Sequence, residues 1–161
     1  MSAISIFSGF LRDEAETKAF AAGLAGLCNI GDCILLYGEV GAGKTSFARG
    51  FIRELSEVSE EITSPTFTIV QNYPLKTGLK NGGHLWHCDF YRLKHRDELY
   101  ELGLEEAFEN GITLIEWPEI MGDDAPKNAL KIMLKLENDG RNIELIGNEA
   151  WQERLKKLAI L

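Results

Sequence analysis

Residues 34–51 read ILLYGEVGAGKTSFARGF, and this stretch decides the fold. It begins with an apolar run, which is typical of a β-strand buried on both faces. Three glycines follow within residues 38–43. Beyond them Phe47, Phe51 and Leu55 recur every four residues, which indicates one buried face of a helix. The stretch therefore predicts a strand and a helix joined by a glycine-rich loop.

The same alternation of patterns continues on both sides of this stretch. Strands are predicted over residues 4–7, 32–38, 66–73, 84–92, 112–117, 129–137 and 142–147, and helices over 13–28, 44–58, 97–110 and a short C-terminal segment. Asp13 is the expected N-cap of the first helix, with Glu16 in the capping-box position. Residues 74–83 and 138–140 are expected to connect two hairpins. The pattern predicts a three-layer α/β fold with a mixed, partly parallel β-sheet, in a single domain over residues 1–161.

Composition limits the classes of function. The chain has 25 acidic and 17 basic residues, for a formal net charge of −8, which argues against direct tight binding to a nucleic acid. Its three cysteines lack paired zinc-type spacing and favour a reducing compartment. No apolar run approaches the ~20 residues of a membrane-spanning helix, and the N-terminus does not resemble a signal peptide. We therefore expect a cytoplasmic protein that does not associate with a membrane.

The loop matches a phosphate-binding motif. Residues 38–45, GEVGAGKT, fit G-x-x-x-x-G-K-[ST] between a predicted strand and helix, which indicates a P-loop NTPase-like fold. Glycines let successive N–H groups turn toward an anion, and the helix dipole adds positive potential. Lys44 is expected to reach the β- and γ-phosphates, and the Thr45 hydroxyl to bind Mg²⁺. The absence of N-K-x-D favours ATP over GTP. The expected ATP-binding residues are Gly38, Glu39, Val40, Gly41, Ala42, Gly43, Lys44, Thr45 and Ser46.

Two acidic residues at predicted strand ends are candidates to complete the site. Asp89 lies in LWHCDFYR and Glu116 in ITLIEWPE. A P-loop site needs a carboxylate near the metal and a group that places the attacking water. Thr66, in the sequence SPTF, lies where many P-loop proteins have a threonine that senses Mg²⁺. A purely structural proline turn explains the same sequence equally well.

Four further expectations concern neighbouring side chains. His87 is expected to brace Asp89 or to face the site. Arg92 could position phosphate, contact a partner or form an ordinary surface salt bridge. Thr17, at the start of the first helix, is a candidate contact to the base. No arginine stands out as a source of positive charge for the transferred phosphate, so slow hydrolysis by the isolated protein is expected.

Four motifs resemble the TsaE family, the bacterial P-loop ATPases of tRNA threonylcarbamoyladenosine biosynthesis. They are GEVGAGKT, SPTF, the H-x-D-x-Y-R run at residues 87–92, and Glu116-Trp117, in that order. The resemblance implies that Thr45, Thr66 and Asp89 surround Mg²⁺, with Asp89 as the Walker B-like acid. It implies that Glu116 activates or orients water close to the metal, so that Lys44, Asp89 and Glu116 form the catalytic set. It also implies TsaD and TsaB as partners, with tRNA reached only through them.

Two alternatives remain open. A small-molecule or nucleotide kinase would share the loop, but kinases usually carry an arginine-rich lid. The only basic residues in segment 74–83 are Lys76 and Lys80. A non-hydrolysing module, in which nucleotide only stabilises a partner-binding shape, is the second alternative. It predicts that Glu116→Ala leaves pathway function intact.

Overall fold

A computed structural model of the chain describes residues 3–58, 61–76 and 82–158. Lys80, considered above as a lid residue, lies outside these ranges. The strands are β1 (Ile4–Leu11), β2 (Cys33–Tyr37), β3 (Val70–Pro74), β4 (His84–Asp89), β5 (Gly111–Glu116), β6 (Leu130–Glu137) and β7 (Gly140–Gly147). The α-helices are α1 (Glu14–Ala25), α2 (Lys44–Leu55), α3 (Leu104–Asn110) and α4 (Glu149–Leu155). Two 3₁₀ segments cover Arg96–Glu101 and Pro118–Asp124.

The strands form one seven-stranded sheet in the order β1-β7-β6-β2-β5-β4-β3. Strand β2 runs parallel to both β5 and β6, and β4 runs parallel to β5. The remaining neighbours are antiparallel: β1 with β7, β6 with β7, and β3 with β4. The predicted mixed, partly parallel sheet is therefore confirmed. Because β2, β4 and β5 share a direction, their carboxyl ends lie at one edge, where α/β proteins place ligand sites.

Successive side chains of β2 point to opposite faces of the sheet, and the apolar core has one layer on each face. Ile34 and Leu36 belong to a cluster built with α1, α2 and α4, whereas Cys33 and Leu35 pack against α3 and the 3₁₀ segments. A strand that is apolar at every position is thus covered on both faces, which explains its continuous apolar run. The predicted three-layer architecture is confirmed.

Three local predictions were wrong. Residues 97–110 do not form one helix, because Gly103 adopts a left-handed conformation (φ 73°) between a 3₁₀ segment and α3. Residues 66–69 are a turn before β3 and not part of the strand. Asp13 does cap α1, but the Glu16 carboxylate accepts from the backbone N–H of Arg12 and not from that of the N-cap.

Both predicted hairpin pairs are present. Strands β3 and β4 are antiparallel, and part of the segment that connects them, residues 77–81, lies outside the described ranges. Strands β6 and β7 are joined by a turn in which Asn138 takes positive φ (54°). Among the described helices none is long and apolar enough to cross a membrane.

Candidate functional site

The loop between β2 and α2 has the backbone geometry of an anion-binding nest. Gly41 and Gly43 take positive φ values of 87° and 106°, which side chains other than glycine rarely adopt. Gly38 is required for another reason: a Cβ there would lie 2.7 Å from the Leu134 carbonyl oxygen. Helix α2 begins at Lys44 with no side-chain cap at Gly43. Its first N–H groups are therefore available to an anion.

The loop opens onto a cavity of about 450 Å³ at the carboxyl edge of the sheet. The cavity is lined by the predicted residues Val40, Gly41, Gly43, Lys44, Thr45, Ser46, Thr66, Asp89 and Glu116. Glu14, Ser64, Tyr91, Trp117 and Arg141 also line it. The remaining predicted residues, Gly38, Glu39, Ala42 and Thr17, do not. The structure thus brings together most residues that the motifs selected.

Asp89, the last residue of β4, is held by three donors. The hydroxyls of Ser64 and Thr66 donate to Oδ2 at 2.6 and 3.0 Å, and the backbone N–H of Tyr91 donates to Oδ1 at 2.9 Å. The turn at residues 66–69 makes this possible, because it carries Thr66 toward the end of β4. Ser64 was not a predicted site residue, although it stands in the SPTF motif.

Glu116, the last residue of β5, is 2% exposed and lies beside Asp89 in register. Its Oε2 is 2.7 Å from Nε2 of His87 and 3.4 Å from the Ser64 hydroxyl. One expectation was that His87 braces Asp89. That expectation was wrong, because His87 contacts Glu116 instead. The contact is diagonal, because His87 stands opposite Leu114 and Asp89 stands opposite Glu116, and diagonal neighbours are within reach of long side chains. Both oxygens of Asp89 already accept hydrogen bonds from other groups.

Lys44 lies over the cavity with its ammonium group close to its own loop. Nζ donates to the carbonyl oxygens of Gly38 and Glu39, the latter at 3.0 Å, and stands 4.1 Å from the centre of the Trp117 ring. Burial lowers the pKa of Lys44, while nearby carboxylates, Glu116 foremost, act in the opposite direction. Trp117 itself has a left-handed backbone (φ 55°) and packs on Tyr91 with ring centres 4.8 Å apart. The cationic group is thus held between the loop and the aromatic pair.

Arg141, near the start of β7, is a functional candidate that the sequence reasoning missed. A Cβ on Gly43 would lie 2.5 Å from its Nη1, so the guanidinium lies directly against the loop. Nη1 donates to the Thr17 hydroxyl at 3.4 Å, and Nε is buried without a hydrogen-bond partner in the described parts of the chain. The expectation that no arginine is placed at the site was wrong. No local motif could have revealed Arg141, because it comes near the loop only through β6, which pairs with β2 on one side and with β7 on the other, Leu136 standing opposite Arg141.

Two other predicted residues, Thr17 and Arg92, do not line the cavity. Thr17 is fully buried, and its hydroxyl donates to the Asp13 carbonyl at 3.0 Å, so its contact with a base stays a prediction. Arg92 lies 4.7 Å above the ring of Phe67, outside the cavity lining. Over the described residues, no group of three or more His, Cys, Asp or Glu side chains is placed to bind a metal. Any cation here would rely on hydroxyl groups as well as carboxylates.

The mixed sheet, the glycine loop between β2 and α2, and two carboxylates at the adjoining strand ends define a fold of the P-loop NTPase type. The chain belongs to the TsaE family: residues 11–143 match the sequence model of "Threonylcarbamoyl adenosine biosynthesis protein TsaE".

Individual relatives agree with this assignment. The chain is 42% identical over 139 residues to the tRNA threonylcarbamoyladenosine biosynthesis protein TsaE of Rickettsia bellii, covering 86% of this chain and 93% of that protein. It is 39% identical over 127 residues to the TsaE protein of Bacillus subtilis, covering 77% of this chain and 74% of that one. The crystal structure of Bacillus subtilis YdiB superposes with a TM-score of 0.76 at 29% identity, covering 99% and 97% of the two chains.

Proposed function

We propose that this chain binds and hydrolyses ATP with Mg²⁺ in the cytoplasm and serves tRNA threonylcarbamoyladenosine biosynthesis as an ATPase gated by TsaD and TsaB. One observation carries the proposal: the glycine loop, Lys44, Asp89 and Glu116 border a single cavity. The pathway is the one named for the relatives described above.

The side chains at the cavity fit a hydrated Mg²⁺ ion. Thr45 and Thr66 offer hydroxyl oxygens, and Asp89 offers a carboxylate that is already oriented by Ser64 and Thr66. Mg²⁺ commonly takes one or two carboxylates and completes its shell with water and phosphate oxygens. When bound, the ion would neutralise charge on the β- and γ-phosphates. Glu116, also an expected metal neighbour, stands beside Asp89 at the same cavity, so a bridging water molecule would let it take part.

Cationic groups surround the place where phosphate would bind. Lys44 stands at the loop, and Arg141 brings a guanidinium against Gly43, with its buried Nε lacking a hydrogen-bond partner among the described residues. Positively charged donors beside the transferred phosphate stabilise the negative charge that develops there. In this proposal Lys44 leaves its contacts with the loop carbonyls and binds the β- and γ-phosphates.

Glu116 is the residue proposed to orient or activate water. Its Oε2 is occupied by His87 and Ser64, whereas Oε1 accepts no hydrogen bond within the described residues. A carboxylate with one oxygen fixed and the other available can accept a proton from a water molecule beside the γ-phosphate. The role therefore follows from burial and from this division between the two oxygens.

Partner gating is supported by the surface next to the cavity and by the charge of the chain. Phe67 is 84% exposed and Tyr91 is 57% exposed, and Tyr91 lines the cavity itself. Exposed aromatic side chains near a site favour contact with another protein. The net charge of −8 disfavours direct contact with tRNA, which the partners would provide. Slow hydrolysis by the isolated chain remains part of the proposal, and its gating by partners rests on this surface.

The test separates binding from turnover. Nucleotide affinity and ATP hydrolysis are measured for the wild-type chain, Lys44→Ala and Glu116→Ala. Lys44→Ala should lose binding or hydrolysis, and Glu116→Ala should bind ATP with turnover reduced at least tenfold. Retained hydrolysis in Lys44→Ala would overturn the proposal. ATP consumption that depends on a small-molecule acceptor would favour a kinase instead.

A further inference from the structure

The pair formed by His87 and Glu116 is buried beneath the cavity. His87 is 1% exposed and Glu116 is 2% exposed, and Nε2 lies 2.7 Å from Oε2. Polar groups are rarely buried this completely without a hydrogen-bond partner, because an unpaired buried group loses its hydrogen bonds to water without replacement. The shortest polar contact of each of these two side chains is therefore the one with the other.

The other ring nitrogen indicates the direction of the hydrogen bond. Nδ1 of His87 is buried and has no partner in the described parts of the chain. A hydrogen atom on Nδ1 would leave an unpaired buried donor, and unpaired N–H groups are rarer than under-used acceptors. The tautomer that avoids this carries its hydrogen on Nε2 and donates to Oε2. Because Nδ1 contacts no acceptor, the ring has no route onward for a proton and acts as a fixed donor.

The sheet does not need this pair for its own cohesion. Strands β4 and β5 are already joined by a parallel ladder from His84 opposite Gly111 to Asp89 opposite Glu116. Replacing a buried charged or polar pair by apolar side chains of similar volume is often neutral or stabilising. The contact is therefore better explained by what it does for Glu116.

Ser64 cannot replace His87 in this role. Its hydroxyl lies 2.6 Å from Oδ2 of Asp89 but 3.4 Å from Oε2 of Glu116, so its stronger hydrogen bond goes to Asp89. His87 is thus the only close donor to Glu116 among the described residues. Without it, the carboxylate could rotate about its terminal bond, which has broad, shallow minima.

We propose that His87 is a positioning residue that donates from Nε2 to Oε2 of Glu116 and so keeps Oε1 oriented for the attacking water. This inference rests on the proposed function, in which Glu116 orients or activates that water. His87 does not contact substrate in this account, so it acts entirely through Glu116. Loss of a residue that orients another typically costs roughly 10–100-fold in activity.

Two substitutions distinguish the donor from the ring. The amide nitrogen of His87→Gln is three bonds from Cβ, as Nε2 of histidine is, so this variant can still donate to Oε2. His87→Leu has similar bulk and no donor. We expect His87→Leu to lower kcat roughly 10–100-fold with the KM for ATP and nucleotide affinity within about twofold of wild type. We expect His87→Gln to recover kcat to within about fivefold of wild type.

A double variant shows whether His87 acts through Glu116. In the Glu116→Gln background, His87→Leu should cause no further fall in kcat, because there is no longer a carboxylate to position. Full kcat in His87→Leu, together with a reduced kcat in Glu116→Gln, would overturn this inference and leave the proposed function standing. Full kcat in Glu116→Gln would overturn the proposed function itself.

Urea unfolding of each variant checks that the fold is retained. If His87→Leu does not fold, His87→Asn provides the comparison, because its amide nitrogen ends one bond short of that of His87→Gln. His87→Asn should then lose kcat while His87→Gln retains it. Equal activity of the Asn and Gln variants would also overturn the inference.

Discussion

Replacing Arg141 with methionine should weaken nucleotide binding without weakening the fold. Methionine keeps an unbranched stem of similar length and removes the guanidinium that lies against Gly43. Hydrogen bonds that involve a charged group contribute about 1.5–3 kcal/mol, so the Kd for Mg-ATP should rise roughly 10–150-fold. Arg141→Lys keeps the charge but loses the planar pair of donors, and it should fall between wild type and Arg141→Met.

Arg141→Met is expected to weaken nucleotide binding but not to lower the free energy of unfolding. Nε of Arg141 is a buried donor without a partner in the described residues, and such a group costs roughly 1–3 kcal/mol. Arg141→Met removes that cost together with the 3.4 Å hydrogen bond to Thr17, which contributes at most about 1 kcal/mol. The free energy of unfolding should therefore stay within about 1 kcal/mol of wild type or increase.

Calorimetric titration with Mg-ATP and urea unfolding measure the two quantities on the same samples. Arg92→Met is the matched control, because Arg92 lies over Phe67 and does not line the cavity. Its Kd should remain within about twofold of wild type. Unchanged affinity in Arg141→Met, or a loss of more than about 2 kcal/mol in unfolding free energy, would show that Arg141 has a structural role and refute the reasoning.

Three further predictions concern the fold. Gly50→Ala should lower the free energy of unfolding by about 1–3 kcal/mol, because its Cβ would lie 2.4 Å from a backbone oxygen of α1. In the control Gly26→Ala, where φ is right-handed and no contact is closer than 3.5 Å, urea unfolding should give a value within about 0.5 kcal/mol of wild type. Burial raises the pKa of Cys33 to about 12, so between pH about 9 and about 12 the folded state keeps a proton that the unfolded state loses. This thiol should contribute a fall in stability of about 1.4 kcal/mol per pH unit in that window, and Cys33→Ala should remove that contribution from the measured slope. Arg154→Met should cost about 2–4 kcal/mol, because it leaves the buried carboxylate of Asp32 without its cation, and a thermal midpoint equal to wild type would contradict this.

The strand, loop and helix around residues 34–55 could be predicted because each depends on local pattern. An all-apolar strand, a glycine loop and an apolar face at helical spacing are properties of consecutive residues. The same holds for the turn between β6 and β7, where Asn138-Asp139-Gly140 supports positive φ. The predicted helix over 97–110 was wrong because its periodic apolar residues continue past Gly103, whose left-handed conformation ends the 3₁₀ segment.

The site was only partly predictable because strand order is not a local property. The alternation of β4 places His87 and Asp89 on one face, but it cannot show that Glu116 of β5 is the closer neighbour. Arg141 was missed for the same reason, since β7 comes near the loop only because β6 pairs with both β2 and β7. Motifs selected the residues that lie on the loop and at strand ends, whereas the contacts between them and the position of Arg141 depend on strand order.

The most direct test of the account is steady-state ATP hydrolysis with Mg²⁺, measured for the chain alone and with purified TsaD and TsaB added. The account predicts that the pair stimulates hydrolysis at least tenfold and that Glu116→Ala abolishes the stimulated rate while still binding ATP. A rate that the pair leaves unchanged, or stimulation that persists in Glu116→Ala, would contradict a partner-gated ATPase centred on Glu116.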